Sequence, residues 1–248
     1  MKRRSLLDRR RFVKLCLSAG ALIGARPSVL RAADAPVRRY ERVRLVDADD
    51  RPVRASALTV GENYVFAYPY VTTPCFLVDL GKPVDALDGL RTEDGRSYHW
   101  KGGVGANRSI VGFSAICAHR MSYPAQQVSF INYRHGPANF KDSERNDVAR
   151  AQVIYCCSEK SVYDPAQGAR VLGGPAPQPL AAIALEHDPA EDALYATGTH
   201  GGEMFDRFFE EFGFRLALEY RSDNIQRRCE GSTTLLSLAE YCDNQVLC

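Results

Sequence analysis

The sequence predicts an all-β domain, an antiparallel sandwich or barrel, followed by a short helical appendage at its C-terminal end. Three observations carry this. From Tyr40 to about residue 200, apolar residues fall in short runs rich in Val, Ile, Tyr and Phe, with little helical periodicity. Turn chemistry separates the runs, at Asp49-Asp50-Arg51-Pro52, Gly81-Lys82-Pro83, Lys101-Gly102-Gly103, Gly136-Pro137 and Gly173-Gly174-Pro175. Clear helical spacing appears only after residue 202, where Met204, Phe205, Phe208, Phe209 and Phe212 recur three and four residues apart. With 248 residues, 45% hydrophobic and 25% charged, the chain can bury a sizeable core, and disorder, collagen and coiled coil are excluded.

In chain order, residues 1–35 read as an export signal. They carry nine Lys/Arg against Asp8 and Asp34, which leaves the rest at −5 within an overall charge of +2. A basic opening, a weakly apolar stretch with Gly20 and Gly24, and Ala33-Asp34-Ala35 as a small-residue cleavage site give the layout. Asp8-Arg9-Arg10-Arg11-Phe12-Val13-Lys14 looks like a twin-arginine export motif, which implies a periplasmic destination or the outer face of the cytoplasmic membrane. The longest apolar run, Leu15 to Ala25, is too short to cross a bilayer, for which roughly 18 residues are needed. An uncleaved signal would give peripheral membrane association. The acidic remainder argues against nucleic-acid binding.

The expected body runs from 36 to 200. Its strands are Arg42–Val46, Tyr64–Tyr70, Cys75–Asp79, Ser109–Ala115, Ser129–Tyr133, Gln152–Tyr155, Ala182–Glu186 and Ala193–Thr197. Trp100, Gly102, Gly103 and Gly105 form a tight turn, and the mixed-charge run Lys141 to Arg150 reads as a solvated excursion or as a docking surface. Residues 201–248 form the appendage packing on the same domain: a helix over Gly202–Phe212, a returning strand over Arg215–Tyr220 and a short helix over Leu235–Tyr241. Cys16 leaves with the signal. Among the remaining cysteines, Cys229 with Cys242 or Cys248 is the expected bridge, with Cys75 a buried thiol.

Chemistry concentrates in three short segments. Cys117-Ala118-His119 is the first. Tyr155-Cys156-Cys157-Ser158-Glu159-Lys160 leads into Ser161-Val162-Tyr163-Asp164, and Gly174-Pro175-Ala176-Pro177 follows. Thiolate and imidazole on separate loops suit a soft metal centre. Over about residues 60 to 200 these motifs resemble the Rieske-type iron–sulfur domain, whose pattern is Cys-x-His, then Cys-x-x-His, a Ser-x-Tyr-Asp run and a Gly-Pro-Ala-Pro turn.

The resemblance implies a 2Fe-2S cluster held by Cys117, His119 and Cys156, with Ser161 and Tyr163 hydrogen-bonding to it and the loop of Gly174 and Pro175 covering it. Glu159 stands where the family has its second histidine. Sliding the alignment by one residue makes Cys157 the thiolate and puts Lys160 at the ligand position, which a protonated amine cannot fill. His135 and His200 are the remaining histidines that tertiary structure could bring to the site. Ser122 and Ser158 occupy the positions of the cysteines that cross-link the loops in respiratory-complex members.

Three readings stay open. The first is a single-electron carrier in a larger oxidoreductase or respiratory system, served by a redox protein partner or a quinol-oxidising complex. The second is a structural or interaction subunit that has lost its cluster. The third is a mononuclear metal site using Cys117, His119 and Cys156 or Cys157. No hydrolytic constellation or phosphate loop is visible, so the chain is expected to act as an electron-transfer subunit and not as a catalyst on its own.

Overall fold

Short β-rich runs pair into sheets, and the computed structural model, which describes residues 37–248, is mostly β. The twin-arginine segment over 1–35 lies outside the described residues. The strands are β1 (Arg38–Val46), β2 (Tyr64–Ala67), β3 (Pro74–Asp79), β4 (Leu87–Arg91), β5 (Ser97–Trp100), β6 (Ile110–Ser114), β7 (Ile131–Arg134), β8 (Ala138–Lys141), β9 (Asp147–Arg150), β10 (Val153–Cys156), β11 (Ser161–Asp164), β12 (Arg170–Gly173), β13 (Ala182–Asp188), β14 (Ala193–His200), β15 (Ser232–Thr234) and β16 (Leu236–Ser237). Two helices, α1 (Phe205–Glu219) and α2 (Leu238–Tyr241), complete the appendage.

Eight strands form one sheet in the order β15-β1-β14-β13-β6-β3-β2-β16. Its two outermost members are consecutive in the chain, β15 on β1 and β16 on β2, so the sheet curls until its edges meet at residues 232–237. Closure of this kind removes the exposed edges that an open sheet presents. Alternation along β3 explains its unbroken apolar run. Cys75 and Leu77 join Val43, Leu45, Leu194 and Ala196 in one core, while Phe76 and Val78 join Ile131, Ile154 and Tyr163 in another. The second core lies against a four-stranded sheet, β12-β11-β10-β7, that carries the candidate site.

The expected strands before residue 200 all have counterparts. The mixed-charge run Lys141 to Arg150 is an ordered hairpin, with β8 and β9 paired from Ala138↔Arg150 to Lys141↔Asp147 and Asp142 closing the turn. The strand expected over Arg215–Tyr220 is absent, because α1 continues to Glu219. The i, i+4 series Phe208, Phe212, Leu216 keeps the helix on its support beyond the point where the aromatic stripe ends. Most of the helix expected over Leu235–Tyr241 is present as α2, capped by reciprocal bonds between Ser237 and Glu240.

The apolar face of α1 packs on Tyr70, Ile116, Met121 and Tyr123, with ring centroids 5.1 Å apart for Tyr70–Phe209 and 4.9 Å for Tyr123–Phe208. Phe208 is fully buried. Phe208→Ala should therefore lower unfolding free energy by about 3–5 kcal/mol, read as a lower urea midpoint at unchanged m-value.

His200 is buried with no hydrogen-bond partner for Nδ1, and burial first, then Lys101 and His99, push its pKa below the ordinary histidine value. The folded protein keeps the ring neutral while the unfolded chain protonates near pH 6.5, so stability present above that pH drains as pH falls towards the folded pKa. Thermal melts should show the midpoint falling between about pH 7 and pH 5, with a shallower fall in His200→Gln.

One disulfide is formed among the described residues, Cys157–Cys248, with Cα atoms 5.7 Å apart and a sequence separation of 91. A loop of that length corresponds to about 4–5 kcal/mol in the chain-entropy account. The expected bridge from Cys229 is not made. Its thiol donates to the Ala67 carbonyl at 3.3 Å while the Cys242 thiol donates to Asn244 at 3.1 Å, and both are free, as is buried Cys75.

Candidate metal centre

Two loops meet at one end of the four-stranded sheet. The first leaves β6 and is folded back by its own backbone, with Cys117 N–H donating to Ser122 O and Met121 N–H to Cys117 O, both at 2.9 Å. The second is the four-residue tip of the β10–β11 hairpin, closed by the pair Cys156↔Ser161. It is tied to the neighbouring chain by Cys157 N–H donating to Phe130 O at 2.7 Å. A third loop, after β12, lies against it. Gly174 has φ +84°, and a Cβ there would fall 2.1 Å from Lys160 O, so only glycine allows this approach.

At the base of the site Cys117 and Cys156 are fully buried, and their thiols interact with each other. Tyr163 Oη lies 3.2 Å from Cys117 Sγ and accepts the Ala118 N–H at 3.1 Å, which leaves its own proton free for the sulfur. The Cys156 thiol first, with Tyr163 and the His119 backbone adding to it, holds the Cys117 thiol below the ordinary cysteine value against its burial. Cys156 is pushed up by Cys117 and by burial. Of the two thiols Cys117 is therefore the more readily ionised.

Nearer solvent, His119 Nδ1 donates to Glu159 Oε2 at 2.9 Å, with side chains 30% and 16% exposed. Sequence reasoning placed Cys117, His119, Cys156, Glu159, Ser161 and Tyr163 in one site, and the fold gathers these six. Ser161 Oγ is buried without a hydrogen-bond partner and faces the Cys117 side of the group. Gly174 serves the approach of the third loop to the second. Pro175 is exposed and lines a cleft of about 900 Å³ together with Lys160, Tyr155 and the β8–β9 hairpin.

Cys157 corrects the expectation of an alternative ligand. Its sulfur is bonded to Cys248, so it offers no thiolate, and the one-residue shift of alignment that required it loses its donor. His135 lies tilted beside Tyr133 at a centroid distance of 6.3 Å, while His200 lies near His99 and Lys101; neither is brought to the thiols. Ser122, which stands at a loop cross-linking position in the pattern the chain resembles, lies beside Cys156, and one contributor had no sequence signal: Glu219 of α1 accepts Tyr123 Oη–H at 3.0 Å.

Among the described residues, no three His, Cys, Asp or Glu side chains converge as the ligands of a single ion. The donors fall instead into an enclosed sulfur pair and a half-exposed nitrogen–oxygen pair on adjoining loops. Soft sulfur and imidazole nitrogen suit iron, zinc or copper, and a carboxylate adds a hard anionic donor.

No family model matches the chain. Among solved structures it is similar to the soluble domain of the Rieske protein II from Sulfolobus acidocaldarius, with 28% sequence identity over 64% of this chain and 78% of that one and a TM-score of 0.45.

Proposed function

We propose that the chain is an exported Rieske-type iron–sulfur protein that carries single electrons within a larger oxidoreductase or respiratory system. The observation that carries the proposal is the division of the donor set into two neighbouring pairs. Cys117 and Cys156 would hold one iron of a 2Fe-2S cluster, and His119 and Glu159 the other. The orphaned hydroxyl of Ser161 supports the fit, since a buried polar atom without a partner is costly unless a bound group satisfies it.

When bound, such a cluster supplies a one-electron couple. The chain's own residues set its terms. The Tyr163 hydroxyl, 3.2 Å from Cys117 Sγ, and the buried Ser161 hydroxyl would donate to the sulfur side and raise the potential, whereas the Glu159 carboxylate, anionic where an imidazole would be neutral, would lower it. The enclosed thiols exclude water, and partly exposed His119 faces the side from which a redox protein or a quinol-oxidising complex would approach.

Export rests on the twin-arginine segment, and the Cys157–Cys248 disulfide is of a kind that persists in oxidising compartments. Retention of the segment would keep the protein peripherally on the membrane. A second reading, an interaction subunit without a cluster, is favoured by one observation: His119 and Glu159 satisfy each other by a direct hydrogen bond.

Iron and acid-labile sulfide quantitation, with electron paramagnetic resonance of the dithionite-reduced protein, separates the two. The first reading expects two irons, two sulfides and the low average g value of mixed nitrogen, oxygen and sulfur ligation. Iron-free, folded protein with Cys117 linked to Cys156 would overturn it in favour of the second.

A further inference from the structure

The two loops of the candidate site are not covalently joined to each other, yet both are fastened to the same C-terminal segment. Helix α1 seats its aromatic face on Ile116, Met121 and Tyr123 of the first loop. Its last residue, Glu219, accepts the Tyr123 hydroxyl at 3.0 Å and the Gln126 N–H at 3.3 Å.

Beyond α2 the tail runs beside the stretch that leads from the first loop into β7. Asp243 N–H donates to Gln126 O, Asn244 O accepts from Ser129 N–H, and Val246 N–H returns to Ser129 O, each at 2.8 Å. Asn132 Nδ2 adds a bond to Val246 O at 2.9 Å. The tail then reaches the second loop and is bonded to it through Cys157.

The hairpin tip itself has few other anchors. Ser158 and Lys160 are exposed, Ser158 Oγ donates only to its neighbour Glu159, and beside the Cys248 N–H that donates to Cys157 Sγ at 3.0 Å the hydrogen bonds that leave the tip are Cys157 N–H to Phe130 O and the His119–Glu159 pair. A covalent tie one residue from Cys156 and two from Glu159 therefore governs how freely the tip can open.

We propose that Cys157–Cys248 is a releasable latch through which the C-terminal tail positions the second loop, and with it Glu159, against the first. A dithiol reductant would open it. One dithiol sulfur attacks Cys248 Sγ, on the exposed side of the bond, forming a mixed disulfide and expelling Cys157 as a thiolate that takes up a proton. The second dithiol sulfur then closes on the first and frees Cys248, so two electrons and two protons pass from the dithiol to the two cysteines. Glu159 is then held only by His119, its neighbour Ser158 and the hairpin backbone. The latch deepens the electron-carrier reading by making loop geometry depend on thiol redox state.

The test is native-state hydrogen–deuterium exchange on the exported protein, oxidised, reduced with dithiothreitol and then reoxidised. Reduction should speed exchange of the amides of residues 157–161 by about tenfold or more, with β3 and β6 changed by less than about twofold, and reoxidation should restore protection. Cys248→Ser should reproduce the reduced pattern and Cys229→Ser should not. In iron-loaded protein, opening the latch should also broaden the reduced spectrum, a change that a general loss of stability would not produce.

Peptide mapping that finds Cys157 and Cys248 unlinked in the oxidised protein would overturn the proposal. Exchange at 157–161 unchanged on reduction would do so as well. Should Cys248→Ser fail to fold, reversible reduction of the natural protein decides alone. A latch response in protein that binds no iron would leave the latch standing and remove the electron-carrier reading.

Discussion

Cys156→Ser is expected to reduce bound iron and labile sulfide to background, about a tenth or less of the natural protein's content, while leaving the fold in place. Cys156 is fully buried at the end of β10, and its sulfur adjoins Cys117, the other soft donor. A serine oxygen is harder and shorter, and its alkoxide is far less accessible at neutral pH, so Cys117 would be left as a lone thiolate. The fold should tolerate the change because the side chain loses little volume and the polar Ser122 lies beside the position. Cys75→Ser is the matched control. Cys75 is equally buried and donates to Tyr68 O at 3.0 Å, but it sits in the barrel core, so iron content should not change. Iron and sulfide assays with circular dichroism check both variants, and unchanged iron in Cys156→Ser would remove the ligand set.

The barrel was legible because its strands are buried apolar runs bounded by turn residues. β3 and β6, covered on both faces, are the clearest of these in the sequence. Hairpins β4–β5 and β8–β9 were not, because β4 and β9 are largely solvated and the buried residues of their partners, Tyr98 and Trp100 of β5 and Ala138 and Phe140 of β8, sit in runs of only four residues. The helix was found where aromatics mark it, yet its second half was mistaken for a strand. Phe214 and Leu218, the exposed apolar residues there, blur the stripe that Phe212 and Leu216 continue. Within the site, the resemblance implied that Cys117 and His119 of one loop face Cys156 and Glu159 of another hairpin, and the fold brings the two segments together. The partner of Cys157 could not be found that way. A disulfide spanning 91 residues depends on where the tail returns, and that is fixed by backbone bonds of residues 243–246 to 126–129 that leave no trace in residue type.

Glu159→His tests the position at which the chain departs from the pattern it resembles. The carboxylate already reaches the first loop's imidazole at 2.9 Å, so a histidine at the same place projects a ring nitrogen into the same space. In iron-loaded protein, exchanging an anionic oxygen donor for a neutral nitrogen disfavours the oxidised state and should raise the midpoint potential by on the order of 100 mV. Glu159→Gln separates charge from donor type. It removes the negative charge but offers a weak neutral oxygen, so its potential should rise too, with poorer iron retention than either Glu159 or the histidine variant. Potentiometric titration followed by electron paramagnetic resonance reads both effects. A midpoint unmoved in both variants would mean that Glu159 binds only His119 and takes no part in holding iron. Should the natural protein be isolated without iron, the same substitution becomes the decisive one. An imidazole pair opposite the Cys117–Cys156 pair should then load a cluster into a fold that had kept its thiols, Tyr163 and Ser161 in place, and failure to load would show that more than one ligand separates this site from a working centre.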